Sequence, residues 1–313
     1  MIIIGNVIGS GFASGKEIAV YFSRFGSVSY FFIALTFFLF WGLIYSFLAF
    51  GQKALNKLNS KVFSLICITI SLIFTSSMFA GTINVLPNSL YVRIIFGLIL
   101  IVFCCYVARR GIPFLSKLNN FLIPVTLGCM LVVIASSLKI PSGWIRGEAP
   151  LAGLFFTLLY SVLNFSMSSI VIAKTGLDMT KKQKVWASFI SSLTLCVFLL
   201  LTNFVLLSHP SSLEYGMPLV FISSGVAAVL IRFVVFSGCI TTLFSLVFTT
   251  SESLKKLNVK PWKIDAVAIF FPCAFSLLGF GTIVSYLYPF ASVLGIFVLF
   301  LLFFLPSRVK DSS

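Results

Sequence analysis

Ten apolar runs follow one another along this chain, separated by short polar gaps. They cover about residues 1–24, 28–50, 62–84, 90–108, 113–138, 151–173, 185–207, 218–249, 264–279 and 282–305. A helix needs about 20 apolar residues to cross a bilayer. Hydrophobic residues make up 59% of the 313, and charged residues only 9%. Soluble domains of this length do not have that composition. The expectation is a single all-α polytopic domain over residues 1–313, with ten transmembrane helices and the lipid bilayer as its partner. Pro113 is expected to open span 5 and Pro218 span 8, where a missing amide costs least.

The net charge is +15. The basic residues fall in the gaps between apolar runs and not on one face, which argues against nucleic acid. Placing the N-terminus in the cytoplasm puts sixteen of them inside, among them Lys53, Lys57, Lys181, Lys182, Lys184, Lys255, Lys256, Arg308 and Lys310. Arg24, Arg93, Lys139 and Arg146 lie outside, and Lys16 and Arg232 lie within spans. By the positive-inside rule both termini are then cytoplasmic. The seven cysteines all sit in apolar runs without metal-ligand spacing, and read as buried free thiols. One histidine, His209, and scattered acids leave no metallohydrolase or histidine triad. No nucleotide-binding motif and no cleavable signal peptide are found. The chain is therefore not expected to be an enzyme, and no cofactor is implied.

Within the first run, Gly5-Asn6-Val7-Ile8-Gly9-Ser10-Gly11-Phe12-Ala13-Ser14-Gly15-Lys16-Glu17 carries four glycines and three small polar residues. Glycine weakens a helix, and small polar side chains compete for backbone hydrogen bonds. Two readings stand. One is a broken helix, tolerated in a membrane only where it is buried in protein or lines a cavity. The other is a small-residue packing seam. Ten spans divide into two sets of five, over about 1–140 and 151–305. Because five is odd, the second set enters from the opposite side, as an inverted repeat. At the matching place, span 6 carries Tyr160-Ser161-Val162-Leu163-Asn164-Phe165-Ser166-Met167-Ser168-Ser169. Spans 1 and 6 are expected to be discontinuous, with a solute between the breaks. The plainer alternative for span 6 is serine back-bonding in an intact helix.

The stretch Gly9-Ser10-Gly11-Phe12-Ala13-Ser14-Gly15-Lys16-Glu17-Ile18 resembles the signature of the YkvI family of bacterial membrane proteins. Similar pieces run along nearly the whole chain: Ala80-Gly81, Leu122-Ile123-Pro124, Asn164, Thr241-Thr242, Gly279-Phe280-Gly281 and Tyr288-Pro289. The resemblance implies membership of the amino acid–polyamine–organocation superfamily, with its LeuT-like five-plus-five fold, in a bacterial inner membrane. A shorter likeness is independent. Gly5-Asn6-Val7-Ile8-Gly9-Ser10-Gly11 resembles the unwound first helix of sodium-coupled neurotransmitter symporters. That likeness implies a sodium site made from the carbonyls of Gly5, Ile8 and Gly238 and the hydroxyls of Thr241 and Thr242, and no other metal.

The chain departs from the family at Lys16, which stands where glutamine is usual, next to Glu17. Ionisable groups inside a membrane are costly and mark function. Lys16 reads either as a fixed or proton-carrying cation or as one member of an ion pair. Arg232 is a candidate partner for Glu17. Only eight residues precede Gly9, about 12 Å of helix against a bilayer of roughly 30 Å. Either the inner half of span 1 is clipped or the assigned start is late.

The resulting functional expectation is a cation-coupled secondary transporter, a symporter working by alternating access, coupled to Na+ or H+. Its solute is small, an amino acid or a related compound. The amides of Gly11 to Gly15 would receive an anionic group at the start of a helix. Ser10, Ser14, Tyr160, Asn164 and Ser166 would make polar contacts. Phe12 and Phe165, with Phe79, would form the apolar wall beside Ala13. The alternative is a non-transporting sensor or scaffold. Neither the particular solute nor the oligomeric state is encoded legibly.

Overall fold

The structure, a computed structural model, describes residues 1–51, 56, 61–86, 89–140, 143, 145–260, 263–264 and 266–304. Among the described residues it is helical throughout, with one isolated β-bridge between Gly26 and Arg146. Six helices among them are long and apolar enough to cross a membrane: Ser29–Ala49, Lys61–Asn84, Pro113–Ser136, Lys181–Ser208, Gly225–Lys256 and Phe280–Phe300. A seventh crossing is reached if Pro150–Ser166 and Ser168–Leu177, which meet at a bend of 58°, count as one span.

The expected ten crossings are therefore wrong, and the reasons are local. Span 1 is not one helix but three short pieces: α1 (Ile2–Val7), α2 (Ser10–Ala13) and α3 (Lys16–Tyr21). Spans 4 and 5 run together as a single 47-residue helix, Leu90–Ser136, with Pro113 inside it and not at its start. Among the described residues its first apolar part, Tyr91–Cys104, does not reach the length of a crossing, and neither does Ala266–Leu278 in the place of span 9. At about 1.5 Å per residue such helices fall short of a hydrocarbon core of roughly 30 Å. Span 8 loses its first turn: Pro218–Ile222 is a separate short helix, and the long one starts at Gly225. With six or seven crossings there is no five-plus-five inverted repeat. The LeuT-like fold, the superfamily placement and the symporter class that rested on it are set aside with it. An apolar window reports burial, and protein interior buries a run as well as lipid does.

The remaining helices are α4 (Ser29–Ala49), α5 (Lys61–Asn84), α6 (Leu90–Ser136), α7 (Pro150–Leu177), α8 (Lys181–Ser208), α9 (Pro218–Ile222), α10 (Gly225–Lys256), α11 (Phe271–Phe275), α12 (Phe280–Thr282) and α13 (Tyr288–Phe304). Among these, α10 packs against α5 and α6, α4 against α7 and α8, and α13 against α5 and α7. The broken N-terminal segment threads between them. Its α1 touches α6, α7 and α10, its α2 touches α5 and α10, and its α3 touches α7 and α8. Every residue from Ile2 to Ala19 is buried. Large apolar side chains such as Phe31, Phe38, Leu65, Phe121 and Trp186 face outward, as lipid contact requires. The chain is a polytopic helical membrane protein, and its first segment is the axis of the bundle.

Two local devices fix the ends. Thr180 and Gln183 form a capping box at the start of α8, each satisfying a backbone amide of the other. The turn after α3 is held by residues 145–148. The Ser27 amide donates to the Ile145 carbonyl at 3.0 Å, and the Glu148 amide to the Arg24 carbonyl at 3.1 Å. Arg24 and Glu148 also pair through their side chains at 2.5 Å. Cys67, Cys196 and Cys239 are buried free thiols, Cys104 is buried, and Cys129 and Cys273 are only half-buried. Lys53, Lys57, Arg308, Lys310 and Ser313 lie outside the described residues, as does the side chain of Cys105.

Candidate functional site

The N-terminal segment breaks twice, and each break frees backbone groups. In an intact helix the Gly9 amide would bond the Gly5 carbonyl. Gly9 instead takes an extended ψ of −168°, and its amide donates to Val7 O at 2.8 Å. The Gly5 carbonyl is thereby released, and the Thr242 hydroxyl donates to it at 3.0 Å. The same hydroxyl lies 3.3 Å from the Ile8 carbonyl. The second break is at Gly15, whose φ of +80° lies in the left-handed region that favours glycine. There the Ser14 carbonyl accepts from the Leu219 amide of α9 at 2.9 Å.

Helix α10 supplies the other half of this polar centre. Thr241 Oγ1 is 3.5 Å from Gly5 O and 3.1 Å from Gly238 O. Gly238 matters for approach: a Cβ there would sit 2.8 Å from the Ile8 carbonyl oxygen. The structure thus brings Gly5, Ile8, Gly238, Thr241 and Thr242 together, as five neutral oxygens from two elements. Neutral oxygens of this kind suit a hard monovalent cation. Beside them lie Asn6 and Asn119, whose side-chain nitrogen and oxygen atoms are buried without a hydrogen-bond partner. Asn119 packs on Gly5, where an added Cβ would meet it at 3.0 Å. Sequence reasoning passed over Asn119. Its signal was the Asn119-Asn120 pair inside an apolar run.

The expected solute residues divide. Ser10 faces α5, with its Oγ 3.4 Å from Ser77 Oγ and 3.5 Å from Met78 Sδ. Ser14 turns back on its own segment, donating to Gly11 O at 3.3 Å. Phe12 and Ala13 are fully buried. Tyr160 stacks among Tyr21, Phe22 and Phe40, with ring centroids 5.3, 4.9 and 5.8 Å away. Phe165 meets Phe40 edge-on at 4.9 Å. Asn164 donates to the Tyr160 carbonyl at 3.0 Å, and Ser166 faces α13, where a Cβ on Gly295 would lie 2.5 Å from its Oγ.

Span 6 is sharply bent but not unwound as span 1 is. Helical backbone runs from Pro150 to Leu177, but Pro150–Ser166 and Ser168–Leu177 meet at 58° at residue 167, whose side chain is not among those described. Thr157, Ser161 and Ser169 each donate to a carbonyl three or four residues earlier, at 2.7, 3.0 and 2.9 Å. Such back-bonding bends a helix without opening it.

The two ionisable residues part company, as neighbours on a helix must. Lys16 Nζ donates to the Leu213 carbonyl at 3.2 Å. Glu17 is 2% exposed, and its carboxyl group lies over Gly11 and against the Phe12 amide. That amide is one of those expected to receive a solute's carboxylate. Its Oε2 has no hydrogen-bond partner. Arg232 is exposed and does not reach Glu17. Three tyrosines lie within electrostatic reach of Glu17: Tyr21, Tyr160 and Tyr288. The Tyr21 hydroxyl bonds Ser292 at 3.0 Å. The Tyr160 and Tyr288 hydroxyls make no hydrogen bond of good geometry. Asn164 stands beside the first, and Ser10 and Ser77 beside the second. Tyr288 was not expected in the site.

Fold and site together define a polytopic helical membrane protein with a broken first segment at its polar centre. Over 91% of its length the chain is similar to "Uncharacterized membrane protein YkvI" of Bacillus subtilis (strain 168), 21% identical and covering 89% of that protein. No family model matches the chain. The YkvI resemblance read from the glycine motif thus extends along nearly the whole sequence.

Proposed function

We propose that this chain carries a small polar solute across a bacterial inner membrane, with a monovalent cation bound at the break in its first segment. The observation that carries the reading is the convergence on Thr242. Its hydroxyl lies 3.0 and 3.3 Å from two carbonyls that a regular helix would have consumed. Breaks in membrane helices are tolerated where they face a cavity, a solute or an ion. The cation would hold α1 against α10 and so set the position of the break that contacts the solute. No enzymatic step is part of this reading. Its test is uptake of labelled amino acids and amines by proteoliposomes holding the purified chain, with a sodium gradient, a proton gradient or neither. Uptake of at least one of these solutes is expected. Absence of flux for every solute under all three conditions points to the sensor or scaffold reading.

A further inference from the structure

The polar centre holds a carboxyl group but no internal cation to match it. Among the described residues, Lys16 and Glu17 are the charged side chains that are buried. Lys16 is committed to a backbone carbonyl at 3.2 Å and is not paired with Glu17. An isolated carboxylate away from water is expensive, so the buried group is either protonated or matched by a counter-charge. A cation brought from outside would hold it ionised.

The surroundings say which kind. Tyr21 lies four residues after Glu17 on α3 and shares its face. Tyr160 packs on Tyr21 and Phe22, and Tyr288 packs on Phe74 with centroids 4.3 Å apart. Rings present a negative face to a cation, and clusters of them favour alkylammonium groups over strongly hydrated metal ions. The unpaired Glu17 Oε2 and the unpaired Tyr160 and Tyr288 hydroxyls supply acceptors for N–H donors. An anionic group would find the Phe12 amide already taken by the Glu17 carboxyl.

We infer that the centre binds an organic ammonium group, with the Glu17 carboxylate as its counter-charge and the rings of Tyr21, Tyr160 and Tyr288 as its walls. This rests on the reading of the break as a solute site and names the chemical class of that solute. It assigns the cationic end of the molecule to Glu17. The oxygens around Thr242 remain for the inorganic cation.

The experiment is equilibrium binding to the full chain in lipid nanodiscs, where no gradient exists and transport plays no part. The probes share one skeleton: butylammonium, 4-aminobutyrate, butyrate and butanol, with sodium chloride as the inorganic arm. Butylammonium is expected to raise the melting temperature and butyrate to leave it unchanged. Glu17→Gln should weaken butylammonium by about 30-fold or more, as removal of one member of a buried charge pair does. Tyr160→Phe, which keeps the ring but loses one acceptor, should weaken binding less than Tyr160→Leu, which loses both. Wild-type protein alone suffices if the variants do not fold, since the probes differ only in charge. Tighter binding of butyrate, an unaffected Glu17→Gln, response to sodium alone, or response to none of the probes overturns the inference. Butylammonium binding without flux in liposomes overturns the carrier reading and leaves this one standing.

Discussion

The Glu17 carboxyl group occupies the space that a side chain on Gly11 would need, across the break at Gly15. A Cβ on Gly11 would lie 2.5 Å from Glu17 Cγ and 2.6 Å from its Cδ. Gly11 therefore makes room for the chain's own carboxylate, and a bound solute is not needed to explain it. Gly11→Ala should cost about 1–3 kcal/mol of stability, the usual range for overpacking. Adding Glu17→Ala should recover part of that loss, because the clash then has no partner. Melting of the two single variants, the double variant and the wild type checks this. Strictly additive losses would mean that the two residues do not share the space.

Thr242→Val removes the hydroxyl whose one proton lies between two buried carbonyls, Gly5 O at 3.0 Å and Ile8 O at 3.3 Å. A loss of about 1–3 kcal/mol is expected from the unpaired acceptors. If a cation binds here, sodium should raise the wild-type melting temperature relative to potassium at equal ionic strength, since a ligand that prefers the folded state stabilises it. The variant's melting temperature should not respond to the exchange. An equal sodium response in both proteins would place the cation elsewhere.

Legibility in the sequence followed the kind of physics each feature obeys. The glycines at 5, 9, 11 and 15 announced an interrupted helix because no other residue makes that backbone cheap. The helices Ser29–Ala49, Lys61–Asn84 and Lys181–Ser208 were equally plain, since length and apolarity alone define them. The interruption in span 6 was legible only in part, since it is a 58° bend at residue 167 and not an unwound stretch. Asn164 and Ser161 satisfy themselves on their own helix, and composition does not distinguish a side chain that bonds its own helix from one that faces a ligand. The number of crossings was misread because Tyr91–Cys104 and Ala266–Leu278 are apolar yet short. Tyr288 was invisible as a site residue, since only tertiary packing brings it beside α1–α3, whereas Asn119 was marked by the Asn119-Asn120 pair inside an apolar run.

Gly15 closes the second break in a left-handed conformation that other L-residues reach at a cost of about 1–2 kcal/mol. A Cβ there would also meet Leu219 Cγ at 3.1 Å. Gly15→Ala should therefore destabilise the protein by at least that strain. Gly15→Asn should pay less of the strain, because asparagine enters this region more readily. Thermal melting in micelles ranks the two. Equal, negligible effects would mean that the chain passes the Ser14–Gly15 turn in another conformation.

Sidedness can be tested on one helix without counting the rest. Helix α8 is 28 residues long, about 42 Å at 1.5 Å per residue, so its ends lie on opposite sides of a core of roughly 30 Å. Its start carries Lys181, Lys182 and Lys184, and its far end runs into His209 and Pro210. The positive-inside rule then puts Lys182 in the cytoplasm and Ser211 outside. Ser212, next to it, is 1% exposed and a poor probe, whereas Ser211 and Lys182 are both exposed. In a background with the native cysteines replaced by alanine, Ser211→Cys should react with a membrane-impermeant maleimide in intact cells. Lys182→Cys should react only after permeabilisation. The reverse pattern would invert the protein in the membrane, and labelling of both from outside would mean that α8 does not cross it.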